Sequence, residues 1–482
     1  MAAQLILGLS ILVFIHELGH FLFARMFKTR VEQFYLFFNP KFSLFRAKKI
    51  NGSWKFRFFS KNVPAKFRKK TNADGNELKD EKGHDLLEPI PVEEFDDNDW
   101  RKYPASTEWG IGWLPFGGYC NISGMIDENK RAYQLSSEPQ SWELRSKPAW
   151  QRLLVMLGGV MMNLALGFLL FIFVTYQYKQ YLPNDQVVKN GIYAYDTGKQ
   201  LGFETGDKIM AVNGKKVVRF DDILQPGVFL GSNITVERNG KQVDFTISDT
   251  AYRMLKTSPA FSIHNYPVIV DSVLENTPAQ QAHIQKNDHI ISLNGDTVEG
   301  LESFMEKMKP FLSQEITLGV IREQDTLYLP VQLDTIPKIG ILVPNPYKPE
   351  SYTFEQAVKY GISDAMGMFS ANIKGFGKLI KGQEKASESL QGPIGIATIY
   401  GKVWDWSHFW FITAIISLVL AFMNVLPIPA LDGGHVVFIL FEMVTGRKPS
   451  DKFLEHVQTV GLFIIIVLML FAVGNDILKL FK

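Results

Sequence analysis

The chain has 482 residues, 46% of them apolar and 21% charged, and a formal net charge of +2. That length allows about three domains, and the charge balance offers no electrostatic footprint for a nucleic acid. A single cysteine, Cys120, excludes an intrachain disulfide framework and any cysteine-rich metal site.

The apolar residues gather in blocks at 1–25, 151–177, 408–431 and 458–480. Each is near the ~20 residues that cross ~30 Å of hydrocarbon, so four membrane-spanning helices are predicted. No Lys or Arg precedes Arg25, so the first block lacks the basic start of a secretory signal. Inside it lies His16-Glu17-Leu18-Gly19-His20. On a helix, positions i and i+4 share a face, so both imidazoles can reach one metal ion. Glu17 then stands beside them, placed to take a proton from metal-bound water. Ionisable groups are costly inside an apolar span, which favours a functional reading over a structural one.

Residues 26–150 read as a cytoplasmic and membrane re-entrant β region. Between Arg25 and Lys70 there are fourteen Lys or Arg and a single acid, Glu32. Phe42 to Phe59 reads as a hairpin around Asn51-Gly52, a strong turn signal. Trp109 to Asn121 contains Gly117 and Gly118, where another backbone can approach closely. These strands are expected to dip into the membrane near the metal. A helical substrate must unwind before water can attack its peptide bond, and a free strand edge could hold the unwound segment by β-addition. From about 60 to 106, a basic run followed by Glu93, Glu94, Asp96, Asp97 and Asp99 reads as a solvated insertion.

Residues 186–252 and 258–336 carry a weak internal repeat. Leu201 to Gly214 and Ala282 to Gly295 each run as a turn, an Asp, an alternating strand and an Asn-Gly turn. Asp207 and Asp288 read as turn formers. Within 351–388, apolar residues recur on one helical face from Phe354 to Ile380, with Lys359, Lys374, Lys378 and Lys381 nearby. That helix fits either the membrane surface or the core of the second repeat.

Two histidines leave a catalytic zinc one protein ligand short. Asp432, in Leu431-Asp432-Gly433-Gly434-His435 at the end of the third block, is the preferred third ligand, with His435 as a rival. One carboxylate and one hydroxide would neutralise Zn²⁺ held by two neutral imidazoles, as a low-dielectric site favours. Pro427 and Pro429 are expected to break the third helix just before Asp432. Asn163 and Asn424 are polar residues in or near spans, suited to interhelical hydrogen bonds. The basic run beside the first span, with Arg447, Lys448 and Lys452 between the last two, places those loops in the cytoplasm. Both termini and the stretch from about 178 to 405 are then extracytoplasmic.

With these motifs in place, the chain resembles the site-2 protease family of intramembrane zinc metalloproteases, and within it the regulator-of-sigma-E protease subgroup. His16, Glu17 and His20 match the zinc motif, and Leu431-Asp432-Gly433-Gly434 matches the Asp ligand motif. Asn424-Val425-Leu426-Pro427-Ile428-Pro429, Leu114-Pro115-Phe116-Gly117-Gly118-Tyr119, Gly158 to Asn163 and Gly392 to Ala397 resemble further family segments. The repeat at 186–336 resembles two PDZ domains, a fold that binds peptides as added strands. The resemblance implies a four-span α-helical membrane protein with a re-entrant β element, two extracytoplasmic PDZ-like α+β domains and one zinc ion per chain. It implies Glu17 as catalytic residue, His16, His20 and Asp432 as ligands, and substrate contacts from Asn424, Asn163, Gly117 and Gly118. The implied substrate is a single-span protein in the bacterial inner membrane, such as an anti-sigma factor or a remnant signal peptide. A site-1-type protease would cut it first, outside the membrane, and the PDZ pair would act as a size filter. Two other readings remain: a PDZ membrane adaptor with a vestigial metal site, and a prenyl-protein endopeptidase, against which the Asp-Gly-Gly motif and the repeat argue.

Overall fold

The computed structural model describes residues 1–62, 67–69, 87–90, 92–125, 139–224, 230–248, 251–255, 258–382 and 391–480. It divides into two compact units, Met1–Gln177 with Ala357–Lys482, and Tyr178–Gln356.

The first unit is built on helices. Helix α1 is Ala2–Met26 and α2 is Ala149–Gln177. Further along come α3 (Phe354–Ile380), α4 (Pro393–Ile399), α5 (Trp406–Val425), α6 (Asp432–Thr445) and α7 (Asp451–Leu480). Four are long and apolar enough to cross a membrane: Ala2–Met26, Ala149–Gln177, Trp406–Val425 and His456–Lys479 within α7. Helices α1 and α2 touch through glycines, since a Cβ on Gly19 would run into the Gly158 backbone. Without a hydrophobic drive between helices in lipid, such small-residue contacts let dispersion hold them together.

The third span differs from the sequence expectation of 408–431. Helix α5 ends at Val425, and Leu426 to Leu431 form a non-helical turn. Asp432 does not end a span; it opens α6, a helix that the apolar blocks do not predict. Pro427 and Pro429 supply no backbone N–H to continue α5. Ala430 takes φ +73°, a conformation that costs a non-glycine residue energy, and the packed turn holds it there. Helix α7 is anchored at two points along its largely exposed length. A Cβ on Gly461 would meet the Pro429 backbone, and the buried Asp476 carboxylate accepts from Gly392 N–H at 3.0 Å and Gly395 N–H at 2.8 Å, ahead of and within α4.

A five-stranded sheet belongs to the same unit: β1 (Val31–Phe38), β2 (Phe42–Ile50), β3 (Ser53–Lys61), β4 (Glu108–Ile111) and β5 (Leu114–Ile122). Their spatial order is β3-β2-β4-β1-β5, with β1 parallel to β4 and every other pairing antiparallel. The β2–β3 hairpin turns at Asn51-Gly52, whose φ values of +49° and +84° suit a type I′ turn. Strand β1 has no clean alternation, and the sequence reading did not anticipate it. Much of the 60–106 insertion lies outside the described residues. Its described acidic part folds back on the sheet: the Arg57 guanidinium stacks on Trp100 at 4.4 Å and donates to the Asn98 carbonyl, and Asp99 pairs with Arg101.

Helix α3 packs on α2 and α5 through Ala365, Phe369, Phe171 and Leu418. Part of its apolar face thus packs within the helical unit, while Phe354, Ile362 and Ile373 stay exposed.

The second unit contains two hydrophobic cores, one around Phe203, Ile209, Ile234 and Val236, the other around Ile290, Phe304, Leu318 and Val320. Each supports its own antiparallel sheet, and the repeat read from the sequence recurs at atomic detail. Asn213-Gly214 and Asn294-Gly295 both turn with positive φ at both residues. Asp207 accepts from Arg238 and from the Glu204 N–H, and Asp288 accepts from Arg322 and from the Gln285 N–H. Each carboxylate in turn raises the pKa of its arginine through those bonds.

Candidate metal centre

Helical spacing puts His16 and His20 on one face of α1. The turn after α5 brings Asp432 to that face. His16 Nε2 lies 3.1 Å from Asp432 Oδ2, His20 Nε2 lies 3.4 Å from the same oxygen, and the two Nε2 atoms are 3.3 Å apart. A tetrahedral zinc with bonds of about 2.0–2.1 Å needs ligand atoms about 3.3–3.4 Å apart, so this triangle fits the ion. His20 Nδ1 sits 2.8 Å from the Val155 carbonyl, which fixes its proton there and leaves Nε2 a lone pair. Asp432 Oδ2 is buried and makes no hydrogen bond. Lone pairs turned on one another in a buried space repel unless a cation sits among them. These are the only three His, Cys, Asp or Glu side chains among the described residues that could close on a metal.

Helix α2 makes room for this. A Cβ on Gly159 would come within 2.5 Å of His16 Cε1 and 2.6 Å of His20 Nε2. No periodicity in the sequence singles out that glycine or the Val155 carbonyl. Glu17, one step round the helix from His16, lies beside the backbone of Cys120 on β5. The same strand meets α1 at Gly118, where a Cβ would strike Val13. Gly117, at φ +154°, lies against Phe38 instead.

The remaining predicted residues fall on the site as well. The Asn163 amide is 3.4 Å from His16 Nδ1, and the Asn424 amide is 3.5 Å from His16 Nε2. His435, the rival ligand, takes no part. It begins a turn later on α6 and lies 3.0 Å from the Gln458 amide of α7.

The sequence matches the model of peptidase family M50 over residues 4–70 and 92–468. The chain belongs to peptidase family M50. It is therefore a membrane metallopeptidase of the site-2 type, and the family's metal is zinc. A Rickettsia conorii protein, whose name proposes a zinc metalloprotease, is 25% identical over 99% of this chain and 98% of its own length. Protease RseP of Yersinia pestis is 24% identical over 99% of this chain and 98% of its own. The regulator of sigma E protease of Haemophilus influenzae is 25% identical over 79% of this chain and 89% of its own. Full-length similarity of this kind covers the metal motif, the sheet and both lobes of the second unit.

Proposed function

We propose that this M50 peptidase cleaves a peptide bond inside the membrane-spanning segment of single-span proteins, using one zinc ion held by His16, His20 and Asp432. The convergence of those three donor atoms at 3.1–3.4 Å is the observation that carries this reading. When bound, zinc supplies Lewis-acid chemistry, acidifying a water and polarising the scissile carbonyl. Glu17 takes the proton from the attacking water and returns one to the leaving amine. Asn424 and Asn163 flank His16, and Gly117 and Gly118 keep β5 slim where an unwound substrate would run along its edge.

The positive-inside pattern supports a bacterial inner-membrane protein with its basic loops cytoplasmic. Both termini and the second unit are then extracytoplasmic. The two lobes of that unit act as PDZ domains that exclude bulky ectodomains, so that a first cut by another protease precedes this one. Relatives named for sigma E regulation support an anti-sigma factor as substrate, with a remnant signal peptide as the other class. The adaptor reading requires a decayed metal site, and the donor triangle with Glu17 beside it supports the peptidase reading instead.

Glu17→Gln tests the proposal. Cleavage of a pre-trimmed single-span substrate by the purified variant is expected to fall by about 10²–10⁴, with zinc content unchanged. Wild-type turnover by that variant refutes it.

A further inference from the structure

We infer that Asn163 is the positioning residue that orients His16, accepting a hydrogen bond from its Nδ1–H, and that α2 supplies the outer support of the whole metal site. This rests on the metal-site reading above. His16 directs Nε2 at Asp432 and His20, so a neutral imidazole that binds metal there must carry its proton on Nδ1. The group facing that proton is the Asn163 amide, whose Nδ2 is the end placed at 3.4 Å from Nδ1. An N–H cannot donate to an NH₂, so in the metal-binding tautomer the amide is turned over, with Oδ1 rather than Nδ2 facing the ring. Amide oxygen and nitrogen have nearly the same shape, and their assignment follows the hydrogen-bond network. The other end of the amide is buried without a protein partner, and Asn163 is only 1% exposed, so the ring decides the orientation.

The same logic already holds for His20, whose Nδ1 meets the Val155 carbonyl at 2.8 Å. Val155, Gly159 and Asn163 recur every fourth residue and so form one stripe of α2. The first residue holds one imidazole, the second leaves space for both rings, and the third holds the other imidazole. Asn163 is itself fixed from behind, because Ser417 Oγ on α5 donates to its backbone carbonyl at 2.7 Å. Loss of an outer partner of this type typically costs ~10–100-fold in metal affinity.

The test uses full-length protein in detergent, with zinc affinity read by chelator competition and geometry read from the visible spectrum of the cobalt-substituted form. Asn163→Leu, close in size but without an acceptor, is expected to weaken zinc binding about 10–100-fold and to alter the cobalt spectrum. Asn163→Ala, which removes the acceptor without adding bulk, is expected to match it. Asn163→Asp keeps an acceptor and is expected to restore binding to near the wild-type level. All three metal-free variants are expected to unfold at the wild-type temperature. Wild-type affinity in the Leu and Ala variants, or equal loss in the Asp variant, overturns the inference while leaving the three-ligand site standing. Wild-type protein that takes up no zinc overturns the three-ligand site itself.

Discussion

Asp207 and Asp288 in the sheet-rich unit are fully buried, and Asp432 in the helical unit has a fully buried Oδ2, yet their surroundings differ in kind. Each of the first two meets an arginine through two nitrogens and also caps a backbone N–H, so its lone pairs are used. Asp432 instead faces two imidazole nitrogens and forms no hydrogen bond through Oδ2. A buried carboxylate whose acceptors are all satisfied is part of the framework. One left open toward other lone pairs suits a cation. Burial alone does not separate them; the inventory of donors does.

Substitution can break this contrast from either side. The largest effect is expected for Asp432→Ala, which should lower zinc affinity by more than the ~10–100-fold typical of an outer-shell loss and abolish cleavage. Zinc quantification and a cleavage assay on the same preparation check it. Asp207→Ala should instead destabilise its lobe by about 2 kcal/mol, since it removes two bonds from Arg238, which keeps Glu204 and the Gly202 carbonyl, and leaves the Glu204 N–H without its acceptor. Denaturant unfolding reads that loss, and zinc content is expected to stay at the wild-type level. Next comes Gly159→Ala, whose new methyl would press on both imidazoles and should cost roughly tenfold or more in zinc affinity. The smallest effect is expected for Gly240→Ala in the second unit. At φ +73° with nothing nearby, it should cost about 1 kcal/mol of stability and leave zinc untouched. Equal zinc loss in the Gly240 and Gly159 variants would erase the distinction between the two units.

Much of the site was legible in the chain because its signals are local. His16, Glu17 and His20 lie within five residues of one helix, and the spacing alone puts both rings on one face. The four apolar blocks announced the spans for the same reason. What the chain did not announce are the features made by distant packing. The third span ends at Val425, and Asp432 starts a new helix, because the turn between them is held by contacts with Gly433, Gly434 and Gly461. Strand β1 became an interior strand of its sheet through neighbours on both sides, without an alternating pattern of its own. The parallel pairing of β1 with β4 joins residues more than seventy positions apart, where no turn signal reaches.

The amino-acid sequence by itself determined that two histidines one turn apart ride on an apolar helix and that an acid follows a proline-broken stretch. Periodicity and breaker residues act over a few positions, so they can be read without a fold. Only the tertiary structure decided that Asp432 rather than His435 turns to the pair, and that Val155 and Asn163 stand behind the two rings. Those choices depend on which backbones approach within a few ångströms, and that is settled by helix packing across the whole unit.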